Sequence, residues 1–199
     1  MKILAFSDIH ASAKAARALV EAAREADLVI GAGDFCNARQ GLDEAMAMFD
    51  GIEAPFAVVP GNAESADELR AASRPGITVL HGEGAELVGL RLFGLGHAVP
   101  ETPFGAWSCD ISEAEAEALL APCTAADILI LHSPPKGVAD ETSSGLSVGS
   151  TAIRAAIRRI RPRLALCGHI HDSWGQEGQI GATRVVNLGP TANWFGMAR

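Results

Sequence analysis

Lys2-Ile3-Leu4-Ala5-Phe6-Ser7-Asp8-Ile9-His10 decides the fold: an apolar run that ends in Asp8 and His10. A short, almost unbroken apolar run reads as a strand buried on both faces. The pattern recurs down the chain. Leu28-Val29-Ile30-Gly31-Ala32 ends in Gly33-Asp34, and Phe56-Ala57-Val58-Val59-Pro60 ends in Gly61-Asn62. Ile128-Leu129-Ile130-Leu131 ends in His132, and Leu164-Ala165-Leu166-Cys167 ends in Gly168-His169-Ile170-His171. Each polar group sits just past the C-terminal end of a strand, where ligand sites collect in open α/β sheets. Asp8, His10, Asp34, Asn62, His132, His169 and His171 are therefore candidate ligands on separate strand ends.

Between these strands the chain alternates. An Ala-rich helix is expected over residues 12–25 with Ser12 as its N-cap, and further helices near 42–50 and 65–72. Such alternation predicts parallel strands covered by helices on both faces. Residues 77–80, 85–88 and 90–93 are short strands with almost no helix between them, and Gly89 marks a tight turn. This stretch is read as hairpins that carry the chain to a second sheet. A helix over 112–121, with Ser112 and Glu115 as a capping box, restores the alternation. Strand 128–131, helix 151–160 and strand 164–167 follow, and a last hairpin is expected from 174–177 and 184–188. The long irregular stretches 94–110 and 133–149 both follow strands, as functional loops often do.

Composition bounds the rest. A chain of 199 residues, 48% hydrophobic, supports one domain, 1–199, with a sizeable core. The formal net charge of -8 argues against a nucleic-acid backbone binder, which normally shows a basic face. It leaves room for a small phosphoester, because bound cations invert the local field. No apolar run approaches the roughly 20 residues of a membrane span, and no secretory signal opens the chain. Cys36, Cys109, Cys123 and Cys167 form no Cys-x-x-Cys pair, so free thiols in a reducing cytoplasm are expected.

Two adjacent divalent cations need a bridging carboxylate and several imidazole or carbonyl ligands. Asp34 is the natural bridge. Asp8, His10 and His171 could complete one site; Asn62, His132 and His169 could complete the other. Cations roughly 3.5–4 Å apart can clamp a phosphoryl oxygen and generate hydroxide between them. Taken singly, each motif is an ordinary turn or cap; taken jointly they point to one site. Gly145-Leu146-Ser147-Val148-Gly149 matches a nucleophile elbow but follows no strand, and no His follows an acid after Ser147 in the required order. It reads as a flexible loop feeding the helix at Thr151. Gly149 and Ser150 there could offer backbone N–H groups to a phosphate, with a plain helix entry as the rival reading. His81 is read as a solvated turn residue, and Trp174, Trp194 and Phe195 as core or subunit contact.

As a set, Asp8-Ile9-His10, Gly33-Asp34-Phe35-Cys36-Asn37, Gly61-Asn62-Ala63-Glu64, His132 and Gly168-His169-Ile170-His171 resemble the calcineurin-like metallophosphoesterase family, and His132-Ser133-Pro134-Pro135 resembles its small bacterial and archaeal phosphodiesterase-like members. The resemblance implies an α/β fold, a four-layer αββα sandwich of two mixed β-sheets flanked by helices. It implies two divalent metal ions (manganese, iron or zinc) and hydrolysis of a small-molecule phosphoester, most readily a phosphodiester, by metal-bound hydroxide. A phosphomonoesterase, a nucleotide-sugar pyrophosphatase and a non-catalytic scaffold on the same fold are the alternatives; a homo-oligomer is compatible with each. Ala63 stands where the family places a His that assists the leaving group. His97, opening the loop 94–110, is the histidine that could substitute as acid or substrate contact, against an ordinary loop His.

Overall fold

The computed structural model describes residues 1–197. β1 (Lys2–Phe6), α1 (Ala13–Ala23), β2 (Leu28–Gly31), α2 (Leu42–Ala47), β3 (Phe56–Val58), α3 (Ala66–Ala72) and β4 (Ile77–Val79) build a run of parallel neighbours. The chain then crosses over. β5 (Glu83–Leu87) and β6 (Leu90–Leu95) pair antiparallel around Val88-Gly89. Both turn residues have positive φ, 51° and 79°, as a two-residue hairpin matched to strand twist requires. α4 (Glu113–Leu120), β7 (Ile128–Leu131), α5 (Thr151–Ile160) and β8 (Leu164–Cys167) continue the second sheet. β9 (Glu177–Ile180) and β10 (Thr183–Asn187) close it, and β11 (Asn193–Gly196) returns to pair antiparallel with β1.

The sheets have the orders β11-β1-β2-β3-β4 and β5-β6-β7-β8-β10-β9, and both are mixed. Alternate side chains of each strand sort into different layers. Ile3 and Ala5 face the gap between the sheets with Ile30, Ile128, Ile130 and Leu166. Leu4 and Phe6 face α1 and α2, where Phe6, Phe35, Phe49 and Phe56 pack ring on ring at centroid distances of 5.3–6.2 Å. A third cluster joins Leu129, Leu131 and Ala165 to Ala116 and Leu120 of α4 and Ile153 and Ile157 of α5. Three apolar layers between four structural ones are the αββα sandwich. Each fully buried Leu, Ile or Phe contributes about 1.5–3 kcal/mol, so the strands are fixed by both faces at once. Ser65 with Glu68 and Ser112 with Glu115 form capping boxes that start α3 and α4.

Three expectations shift. Residues 77–79, read among the hairpins of the second sheet, form β4 parallel to β3 in the first. The last hairpin is displaced: the strand expected at 174–177 begins at Glu177, and Trp174 lies in the turn after β8. Of the C-terminal aromatics, Phe195 enters the inter-sheet core, while Trp194 stays exposed. Among the described residues no helix is long and apolar enough to cross a membrane.

Candidate metal centre

All seven candidate ligands lie on turns at the same edge of the sandwich, past β1, β2 and β3 of one sheet and β7 and β8 of the other. The turns bring them within contact. Ligand atoms of Asp8, His10, Asp34 and His171 all lie within 4.8 Å of one another. Nε2 of His10 is 3.3 Å from Nε2 of His171 and 3.4 Å from Oδ2 of Asp34. The other Asp34 oxygen, Oδ1, is 3.5 Å from Nε2 of His132. Asn62 Oδ1 lies 3.1 Å from His132 Nε2 and 3.0 Å from His169 Nδ1. Two donor groups thus share the Asp34 carboxylate, one on each oxygen.

The backbone is bent hard to achieve this. Asp8, His10, Asp34 and His169 have φ of 55°, 46°, 58° and 67°, in the left-handed region that non-glycine residues avoid. Strain of this kind, of order 1–3 kcal/mol per residue, persists where the surroundings over-determine it. The motif glycines supply those surroundings. A Cβ on Gly33 would fall 2.6 Å from the Gly61 backbone and from the His132 ring; one on Gly61 would collide with the Asp34 carboxylate. The two turns touch backbone to backbone, so only glycine fits.

Glu64 locks them together. Fully buried, it accepts from the N–H groups of Asp34 (2.8 Å), Gly61 (2.7 Å) and Phe35 (3.1 Å). Burial, then the Asp34 charge, pushes its pKa up to about 7. Ala63 acts through its backbone: its N–H donates to Asp34 Oδ1 at 2.8 Å, its carbonyl accepts from Cys36, and its side chain is buried beside the Phe35 cluster. Asn37 donates to the His10 carbonyl at 3.0 Å.

Hydrogen bonds at the far nitrogen set the imidazole tautomers. A carbonyl can only accept, so Nδ1 of His10 donates to Cys36 O (3.2 Å) and Nδ1 of His132 to Ala32 O (2.8 Å). Each Nε2 is left facing the cluster, as a metal-ligating His requires. Burial pushes the His169 pKa down to about 3 and lowers that of His171, which favours the neutral imidazole that metal ligation requires. Burial would also lower His132, but the Asp34 and Asp8 carboxylates outweigh it and raise its pKa. Burial raises Asp8; for Asp34, burial is outweighed by His132 and His10, which lower it. This is a negative field that attracts positive charge, and its donor set of carboxylates, imidazoles and one amide oxygen fits divalent cations.

Several contributors were not read from the sequence. Trp174 donates its indole N–H to Asp8 Oδ2 at 3.0 Å and packs its ring on His171 at 4.3 Å. It is therefore a wall of the cluster where core or subunit contact was expected; its place three residues after His171 was the available signal. Ser7 also donates to Asp8 Oδ2, at 2.5 Å. Ser108 accepts from Asn62 Nδ2 (2.9 Å) and donates to Asp110 (2.5 Å), which turns Asn62 Oδ1 toward His132 and His169. No strand or periodicity marks Ser108 or Asp110.

Other expected residues stand apart from the cluster. His97 packs its ring on His81 at 4.3 Å, so His81 is half-buried where a solvated turn residue was expected. Burial, then His81, pushes the His97 pKa down to about 4, and its buried Nε2 has no hydrogen-bond partner. Ser150 is the buried N-cap of α5. The N–H groups of Thr151 and Ala152 donate to the Glu113 carboxylate at 2.8 Å, as does the Ser150 hydroxyl at 2.7 Å. A carboxylate of the chain thus fills the place expected for a phosphate. Gly149 N–H and the Ser147 hydroxyl donate to the buried Asp140, which ties down a loop expected to be flexible.

Comparison with known proteins agrees with this arrangement. The calcineurin-like phosphoesterase superfamily domain matches residues 1–198. The chain is similar to TT1561 of Thermus thermophilus, at 20% identity and TM-score 0.77, over 94% of this chain and 88% of that one. It is also similar to a dimetal phosphatase from Danio rerio, at 16% identity and TM-score 0.63, over 96% and 88%. UPF0046 protein T07D4.2 of Caenorhabditis elegans is 32% identical over 62 residues, 31% of this chain and 15% of that protein. With a whole-chain family match and the motif turns meeting at one edge of the sandwich, the chain belongs to the calcineurin-like phosphoesterase superfamily.

Proposed function

We propose that this protein is a hydrolase of small phosphodiesters that works with two divalent metal ions. Asp34 would serve both; Asp8, His10 and His171 would hold one, and Asn62, His132 and His169 the other. The observation that carries this reading is the Asp34 carboxylate, with one oxygen 3.4 Å from His10 and the other 3.5 Å from His132. Divalent cations, when bound, supply positive charge to phosphoryl oxygens and acidify water.

The chain's own groups do the rest. Cys36 O and Ala32 O orient the His10 and His132 rings, and Ser108 orients Asn62. Phe104, Trp107 and Ile170 give apolar walls to the cleft of about 390 Å³ above the cluster. That cleft is lined by His10, Asp34, Asn62, His169 and His171, with Thr142 and Asp172 at its edge and no Lys or Arg among its described lining residues. A phosphomonoester dianion needs more positive charge than a diester monoanion, so this lining favours the diester. His97, paired with His81 and held neutral, is given no part in proton transfer.

The test is manganese-stimulated hydrolysis of bis-p-nitrophenyl phosphate beside p-nitrophenyl phosphate. The diester should be the better substrate. Asp34→Asn should abolish turnover and lower metal content, while Asp27→Asn, at an exposed carboxylate on the Lys2 N–H, does neither. Active Asp34→Asn protein with both metals bound would sink the assignment. Wild type that binds metal but turns over neither ester would leave a binding scaffold.

A further inference from the structure

Beside the metal cleft lies a second cavity, of about 540 Å³. The two are continuous: Phe104, Thr142, His169 and Ile170 line both. Val99, Pro100, Pro103 and Val148 complete its apolar walls. Of its three charged lining groups Glu101 is exposed, and the other two are engaged within the protein. Glu113 is occupied by the start of α5, and the Lys136 amine donates to the Ser147 carbonyl. What remains toward a ligand is mainly hydrocarbon and aromatic ring, with threonine and serine hydroxyls and the Glu101 carboxylate among it.

At the junction of the cavities stands an aromatic pair. Phe104 and Trp107 stack nearly parallel, 6° apart with centroids 5.8 Å apart, and Phe104 meets the His169 ring at 6.5 Å. Both rings are exposed, Phe104 at 51% and Trp107 at 38%. Exposed rings on a loose loop would be unremarkable, but this loop is held. The Asp110 carboxylate takes the Thr102 N–H (2.6 Å), the Thr102 hydroxyl (2.7 Å) and the Ser108 hydroxyl (2.5 Å), closing the segment on itself. Open apolar surface on a pre-set loop, adjoining a polar cluster, marks a place for a ligand with one charged and one apolar end.

We infer that this cavity is the specificity pocket of the protein: it takes an aromatic ring carried by the phosphoester, stacked against Phe104, while the phosphoryl group lies at the metal centre. The inference rests on the proposed function for the placement of the phosphoryl group. Phe104 is the specificity-determining residue. A ring of nucleobase or naphthyl size fits the volume; a methyl ester leaves it wet.

The test uses charge-matched diesters that differ in one arm: dimethyl, methyl phenyl and methyl 2-naphthyl phosphate. Their affinities for the full-length, manganese-loaded protein are read by calorimetry and as inhibition of bis-p-nitrophenyl phosphate hydrolysis. Affinity should tighten by more than about tenfold from dimethyl to naphthyl. Phe104→Ala, checked for folding by its melting temperature, should shrink that ratio below about threefold. Val148→Trp, which fills the pocket from another wall, should do the same if Phe104→Ala fails to fold. Equal affinities across the series in wild type, or a ratio that survives both variants, overturns the pocket. Wild type that hydrolyses no phosphoester but still prefers the naphthyl diester by calorimetry refutes the proposed function and keeps the pocket.

Discussion

The turns of the candidate metal centre and the loop that carries Phe104 and Trp107 border the same cleft but are built in opposite ways. Each metal-facing turn follows a strand buried on both faces. Its ligand is aimed by backbone: positive φ at Asp8, His10, Asp34 and His169, and glycine contact between Gly33 and Gly61. The aromatic loop has no such strand inside it. Asp110 and Ser108 hold its shape, side chain to side chain and backbone, and leave its rings in the open. In the function and pocket proposed above, the first region would set the chemistry and the second the molecule it acts on. The regions meet side chain to side chain at the Ser108–Asn62 hydrogen bond of 2.9 Å and at the Phe104 and His169 rings, 6.5 Å apart.

The largest effect is expected within the first region. If Asp34 divides the ligands as proposed, single deletions should fall into two classes. His132→Ala and His169→Ala should weaken one metal site by at least about 100-fold, and His10→Ala and His171→Ala the other. Stepwise metal titration followed by calorimetry counts the sites. His132→Ala and His171→Ala losing the same site would break the partition.

The same contrast explains what could be read from the sequence. Every residue of the candidate cluster was legible because each is welded to an apolar run: the strand is visible as periodicity, and the residue after it inherits a position. The second sheet was legible where Val88-Gly89 forces a hairpin. Trp174 was not, because its indole reaches Asp8 from 166 residues away in the chain. Phe104, Ser108 and Asp110 lie in a stretch with no period, and their roles arise only when the loop closes on itself. At Ser150 the sequence left a phosphate contact and a plain helix entry side by side, for a related reason. A helix start attracts anions in general, but which anion arrives is a tertiary fact, and here it is Glu113.

A smaller effect should appear at the link between the regions. Asp110→Asn removes the carboxylate that holds Ser108, and Ser108→Ala removes the partner of the Asn62 amide. Both are positioning changes. Each should lower kcat/KM by about three- to tenfold, since a hydrogen bond to a charged group is worth roughly 1.5–3 kcal/mol and only part of it bears on Asn62. Asp110→Asn should in addition reduce the preference for aromatic diesters, because it frees Thr102, whereas Ser108→Ala should spare it. Identical selectivity in the two variants would show that the loop does not depend on Asp110, and the regions would be more separate than their hydrogen bonds suggest.

The smallest effect is expected in the far wall, where Glu113 should serve the fold and leave the metals alone. Its carboxylate takes Ser150, Thr151 and Ala152 at the start of α5 and so ties α4 to α5. Burial pulls its pKa up, but the hydrogen bonds from Ser150, Ala152 and Thr151 outweigh burial and hold it below the ordinary value. A depressed folded pKa means that the ionised form stabilises the fold. That stability is present in full above the unfolded carboxylate pKa of about 4.3 and is lost as pH falls through the folded pKa. Glu113→Gln keeps one acceptor oxygen and the shape. Allowing for solvent screening at a half-exposed position, it should cost about 1 kcal/mol, as loss of a helix cap does. Urea unfolding of wild type and variant should show that gap unchanged from pH 8 to pH 5 and shrinking below about pH 4, with metal content the same in both. A gap that persists in acid would mean that shape, not charge, caps α5. Loss of metal in Glu113→Gln would show that the wall and the metal-facing turns are one unit after all.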